Sequence, residues 1–172
     1  MADPRKIRFR CRSCAEWHEG VPDLAFDLPD MIHAMDAAER ARRARITSDS
    51  VELDGAHFFV RGVLMVPVLG EDMALGLGAW STLSPASYAR YSETFDDDDQ
   101  GRVGPFFGWF ANRVPGYPDT LGLKCSVQPQ DGNQRPRLTL EPGDHPLAIE
   151  QRAGITLERL EDILGRALHG VQ

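Results

Sequence analysis

The dipeptide Asp54-Gly55 stands between two apolar runs, Val51-Glu52-Leu53 and His57-Phe58-Phe59-Val60. Asp-Gly supplies the positive φ values of a type I′ turn, whose twist matches that of paired strands, so the pattern specifies an antiparallel hairpin. The second strand runs on through Val66, where Pro67 cannot donate to a ladder. Gly70-Glu71-Asp72 is the next turn. Residues 73–83 read as a third strand, with Gly76 and Gly78 marking a bulge or a close backbone approach. Two more strands are expected near residues 121–127 and 137–140, joined by Asp131-Gly132-Asn133. A short strand at residues 7–10 leads into a pair of cysteines.

Helical signals are interleaved with these strands. Asp36 is an N-cap for residues 36–45, with Glu39 three positions on. Ser84-Pro85 opens a helix that places Tyr88, Tyr91 and Phe95 on one face as core contacts. Asp144-His145-Pro146 opens a short helix that Gly154 ends, with Asp144 in the helix-start role. Thr156 caps a final helix whose stripe is Leu157, Leu160, Leu164 and Leu168 and whose stop is Gly170. The expected fold is α+β: a mostly antiparallel sheet of about five or six strands, inserted and C-terminal helices, and an N-terminal Cys/His knuckle. At 172 residues the chain is expected to form a single globular domain over residues 1–172, with residues 1–20 as the knuckle appendage.

No apolar run approaches the ~20 residues that span a bilayer. Residues 1–12 are Arg-rich without the apolar stretch of a secretory signal, which favours the cytoplasm. The net charge of −7 is uneven: residues 1–45 carry nine Lys/Arg against eight Asp/Glu, and the acidic excess lies in the remainder. An acidic bulk repels phosphate backbones and argues against nucleic acid as a partner. Two basic clusters remain, Arg5, Lys6, Arg8, Arg10 and Arg12, and Arg40, Arg42, Arg43 and Arg45, which read as solvated charge.

The one pattern that carries chemistry is Cys11-x-x-Cys14-x-x-x-His18. A Cys-x-x-Cys turn places two sulfurs on one side of a loop, and His18 follows as a third ligand, a set suited to zinc. Reduced structural thiols and a redox pair are the alternatives. The local sequence lacks a fourth ligand, and the candidates are Cys125, His57, His145 or water. A left-handed residue, usually glycine, follows the second cysteine in many such turns, and here that residue is Ala15. His33 and His169 read as surface residues, and Asp96 to Asp99 as a solvated loop without the alternating spacing of a calcium site. There is no nucleophile elbow, phosphate loop, dinucleotide fingerprint or His-Glu-x-x-His helix.

Several blocks together resemble one bacterial family, the domain of unknown function numbered 2199. They are the Cys11/Cys14/His18 pattern, Phe26-Asp27-Leu28-Pro29-Asp30, His57-Phe58-Phe59-Val60-Arg61-Gly62, Phe107-Gly108-Trp109, Tyr117-Pro118-Asp119-Thr120, and the segment from Glu141-Pro142 to Gly154-Ile155. The resemblance implies a single-domain bacterial protein and assigns no catalytic residue. Three functions are carried forward. The first is a non-enzymatic interaction or regulatory protein with a structural zinc knuckle and an unknown protein partner. The second is a zinc-dependent enzyme using Cys11, Cys14 and His18 as ligands, with an open position for water. The third is a nucleic-acid-binding protein using the knuckle and its flanking arginines.

Overall fold

The computed structural model describes residues 8–11, 14–19 and 23–169, with backbone alone at Arg8, Phe9, His18 and Glu19. Arg5, Lys6, Arg12 and the helix stop expected at Gly170 lie outside the described residues. In chain order the elements are β1 (Arg8–Arg10), β2 (Trp17–Glu19), β3 (Leu24–Ala25), α1 (Asp30–His33), α2 (Ala37–Arg43), β4 (Ala44–Ile46), β5 (Ser50–Leu53), β6 (His57–Pro67) and β7 (Ala74–Leu83). There follow α3 (Pro85–Glu93), β8 (Phe106–Trp109), β9 (Lys124–Gln128), β10 (Arg137–Leu140), α4 (Pro146–Ala153) and α5 (Leu157–His169). None of the described helices is long and apolar enough to cross a membrane.

The Asp-Gly turn forms as its chemistry requires. Asp54 and Gly55 have φ of 54° and 63°, the Ala56 amide returns to the Leu53 carbonyl at 3.0 Å, and β5 pairs antiparallel with the start of β6. β6 and β7 then pair from Phe58 opposite Leu83 to Pro67 opposite Ala74. β6 outruns any single partner on its other edge. β5 takes residues 57–60, and at Val63 the partner becomes β10, which runs parallel. The exchange falls at Gly62, where a Cβ would sit 2.7 Å from the Leu138 side chain and 2.8 Å from the Pro136 carbonyl. Any larger residue would hold β10 away. Arg135 and Asp49, 2.8 Å apart, join the chain entering β10 to the chain entering β5.

The sheet order is β3-β7-β6-β10-β9-β8, with β4 and β5 attached at β6, eight strands in all and largely antiparallel. β1 and β2 form a separate two-stranded hairpin. Beyond the expected strands, the sheet holds β3, β4 and β8. Two of these are too short to show alternation, and Phe-Phe-Gly-Trp has none. β8 also returns to β7: Ser81 bridges Phe110, the Ala111 amide donates to the Trp80 carbonyl at 2.8 Å, and the Trp109 amide to Thr82 Oγ1 at 3.0 Å. The path from β7 through β6, β10 and β9 to β8 thus closes on itself. Gly108 permits the seam, since a Cβ there would lie 2.1 Å from Ser81 Oγ.

Asn112 locks this seam. Fully buried, it accepts from the Trp80 amide at 2.8 Å and donates to the Leu28 carbonyl at 2.9 Å and to Asp30 at 3.0 Å. The Phe26 carbonyl takes hydrogen bonds from the Trp80 indole and the Arg61 guanidinium. Together these bonds pin residues 26–30 over one face of the sheet, where Ile32, Val51, Leu53, Phe59 and Trp80 form a small core. The larger core includes Leu64, Leu75, Leu77, Val127 and Leu138, with α4 and α5 supplying Leu147, Leu160, Ile163 and Leu164.

The caps at Asp36 and Ser84 form, accepting from the amides of Glu39 and Ser87, and Thr156 Oγ1 accepts from the Arg159 amide. α4 is capped by His145, whose Nδ1 accepts from the Leu147 amide at 3.1 Å, and not by Asp144. With Pro146 at the first helical position, the residue before it occupies the cap. On α3, Tyr91 is buried and Tyr88 stacks on Phe58 at 4.5 Å, whereas Phe95 is exposed. In α5 the expected stripe fades toward the end, and Leu168 is exposed.

Replacing Asn112 with Ala strands the Trp80 amide and the Leu28 carbonyl. A loss of about 2–4 kcal/mol is expected, read as a lower urea midpoint with an unchanged slope.

Candidate metal centre and aromatic cleft

The two cysteines lie in the turn that joins β1 to β2. The Cys11 amide donates to the Glu16 carbonyl at 2.9 Å, and the Ala15 amide to the Cys11 carbonyl at 2.8 Å. Arg10 Nε adds a bond to the Ala15 carbonyl at 3.2 Å. Ala15 adopts φ of 60°, so the left-handed position after the second cysteine is present, filled by a residue that pays a steric cost there. Cys11 is completely buried and joins the larger core, with Cys14 packed against it.

A third donor comes from the far end of the chain. The Cys11 and Cys14 sulfurs and a His169 ring nitrogen all lie within 4.8 Å of one another, and among the described residues this is the group that could hold a metal ion. Tetrahedral zinc, with Zn–S of about 2.3 Å and Zn–N of about 2.0 Å, sets donor–donor edges of roughly 3.5–3.8 Å. Shifts of about 1 Å or less would close the group on an ion. His169 was expected at the surface. It is indeed exposed, yet its ring turns to the cysteines. The signal that places it is Gly165, a buried residue one helical turn earlier in α5. His18 is in β2, paired with Phe9, and the ligand role expected of it concerns a side chain outside the described set.

Cys125, His145 and His57, weighed as fourth ligand, are not among the donors brought together at the cysteines. Cys125 is buried in β9, with its sulfur 3.1 Å from Ser81 Oγ. Burial pushes its thiol up to about 11, the Ser81 hydroxyl offsetting only part of the shift. His145 caps α4 and places Nε2 3.3 Å from the Pro118 carbonyl. His57 begins β6 and lines a cleft beside the β5–β6 turn.

That cleft, about 610 Å³, lies between α1–α2, the β5–β6 turn, the start of α3 and β8. Its walls include Met31, Met35, Phe58, Phe59, Phe107 and Trp109. Met31, Phe107 and Trp109 are 59%, 53% and 44% exposed, although Trp109 and Phe107 sit on a paired strand and meet edge to face at 5.0 Å. Several polar groups at the cleft are engaged, while the His57 imidazole also lines it. Arg43 binds Asp54 at 2.7 Å, holding that carboxyl below its usual range. Ser84 donates to Ser87, and Thr82 accepts from Trp109.

A family model described as an uncharacterised protein conserved in bacteria, the domain of unknown function numbered 2199, matches residues 10–155. The chain belongs to this family. No curated protein and no solved structure matches the chain. The matched segment takes in the knuckle, the closed sheet and α4, and stops before α5 and His169.

Ala15→Gly should remove left-handed strain worth ~1–2 kcal/mol at the cost of some chain entropy, a net gain of about 0.5–1 kcal/mol. Amide exchange at Cys11 and Ala15 is expected to slow by about 2–5-fold. The Cys125 thiol sets an alkaline limit. Below pH 9, its ordinary value, it is protonated folded or unfolded; between there and about 11 only the unfolded chain sheds the proton. Tyr91 and Tyr117, both raised chiefly by burial, act in the same sense at higher pH. Urea midpoints should therefore fall from about pH 8 to about pH 10, and Cys125→Ala should reduce the fall.

Proposed function

We propose that this protein acts by binding another protein, as an interaction or regulatory module of the bacterial cytoplasm, and that a structural zinc ion at Cys11, Cys14 and His18 steadies its N-terminal hairpin. The observation that carries the binding role is the exposed rim of Met31, Phe107 and Trp109 around an apolar cleft. Large apolar side chains clustered at a surface mark recognition sites, and Trp is among the residues that supply most interface energy. The occupant this chemistry fits is a partner's apolar side chain or short apolar segment. Arg43, Ser84, Ser87 and Thr82 are engaged within the fold, so a reaction in the cleft would have to be built around His57 alone, which supports binding over catalysis.

Three of the four arginines in and after α2 have partners within the fold, which counts against a nucleic-acid role. Arg40 donates to the His33 and Met35 carbonyls, Arg43 is paired with Asp54 and Glu39, and Arg45 lies 3.8 Å from Glu52. Phosphate-binding arginines need free guanidinium donors.

The test is an affinity capture from bacterial lysate with wild-type protein and with the double variant Phe107→Ser, Trp109→Ser, each checked for an unchanged circular dichroism spectrum. A partner retained by wild type and lost by the folded variant is the expected result. Equal capture by both, or no specific capture, would sink the reading.

A further inference from the structure

We infer that His169, at the end of α5, is a ligand of the same metal as Cys11 and Cys14, so that the ion fastens the N-terminal hairpin to the C-terminal helix. This rests on the metal reading of the knuckle and adds to it a residue that neither the local Cys-x-x-Cys pattern nor the family match at residues 10–155 contains. Two thiolates and one imidazole make three of the four donors that zinc takes, and a second imidazole from the hairpin would complete a closed, structural set.

Three observations converge on it. The donor atoms of Cys11, Cys14 and His169 lie within 4.8 Å of one another although the residues are separated by most of the chain. Cys11 is buried in the larger core along with Leu160, Ile163 and Leu164 of α5, so hairpin and helix already share one packing unit. His169 ends α5 where the apolar stripe fades, with Leu168 exposed, and a metal bond there would add a fixed point to the turn.

The clip makes a specific coupling. Metal removal should loosen the knuckle and the last turn of α5 together, while the closed sheet keeps its structure. Binding free energy at a site assembled from both termini is ordering free energy for both.

The experiment uses the full chain reconstituted with zinc and, separately, with cobalt(II), in wild type, His169→Ala, Cys11→Ser and His33→Ala. Wild type is expected to bind one metal per chain. His169→Ala should weaken binding by about tenfold or more, the least expected when a direct ligand is lost, given that outer-shell changes alone cost 10–100-fold. It should also shift the visible cobalt spectrum, whereas His33→Ala should change neither. Hydrogen exchange should show Leu164 to Leu168 and Ala15 to Trp17 losing protection together on chelation. Cobalt spectra and affinities of His169→Ala equal to those of wild type would overturn the inference while leaving a metal at the cysteines. Wild-type protein that takes up no zinc or cobalt would overturn both.

Discussion

The amide side chain of Asn112 is the bond on which the rest of the structure hangs. A closed sheet has to make its last seam between strands that are not neighbours in sequence, and here the seam between β7 and β8 is short: one bridge at Ser81 and Phe110. Asn112 extends it by accepting from the Trp80 amide, and then uses its two donors to fasten the chain at Leu28 and Asp30. A buried amide with its acceptor and donors all satisfied is both stabilising and geometrically demanding. The backbone carbonyl of Asn112 takes the Thr120 hydroxyl at 2.5 Å, and that same hydroxyl accepts from the Val114 amide. Seam, overlying loop and the turn after β8 are therefore one hydrogen-bonded unit.

The cleft inherits its shape from that unit. Met31 stands on α1, which begins at Asp30, and Trp109 stands two residues beyond Phe107 on β8. Both are held at the seam from opposite sides, so the exposed rim is set by buried bonds. Rigid aromatic groups lose little conformational freedom on contact, which favours them as anchors for a partner. The knuckle differs. A two-stranded hairpin by itself is marginal in water, and three-residue strands such as β1 and β2 need an outside tie.

Much of this was legible in the sequence where a single local rule decides the outcome. Asp54-Gly55, Ser84-Pro85 and Thr156 each name a turn or cap through the φ or the acceptor they supply, and each forms. What was not legible depends on distant partners. Phe107-Gly108-Trp109 shows no period of two, because Gly108 is there for the approach of Ser81 and not for alternation. Asn112 reads as an ordinary loop residue until Trp80 and Leu28 are brought to it. Asp144 carries the better capping side chain, yet Pro146 moves the cap to His145. The cysteines announced a site at once, but the third donor within 4.8 Å lies at the other end of the chain.

That remote donor can be placed only if α5 is itself fixed, and the fixing joins α5 to Gly116, Tyr117 and Glu150 inside the matched family segment. Arg159, in the first turn of α5, donates to the Gly116 carbonyl at 2.8 Å, to Glu150 at 3.1 Å and to Asp162 at 2.8 Å. Its guanidinium lies 4.7 Å from the centre of the Tyr117 ring, and the Tyr117 hydroxyl donates to Glu150. One planar cation thus binds the loop after β8, α4 and α5 together, a task suited to the fixed fork of arginine donors. Ile163 and Leu164 seat the middle of the helix in the core. An α-helix rises about 1.5 Å per residue, so His169 lies roughly 15 Å along the axis from Arg159. The position of the imidazole beside Cys11 and Cys14 is therefore a consequence of how the closed sheet and its loops grip the start of α5. A helix gripped at its start carries its last residue to a fixed place, which is what a terminal metal ligand requires.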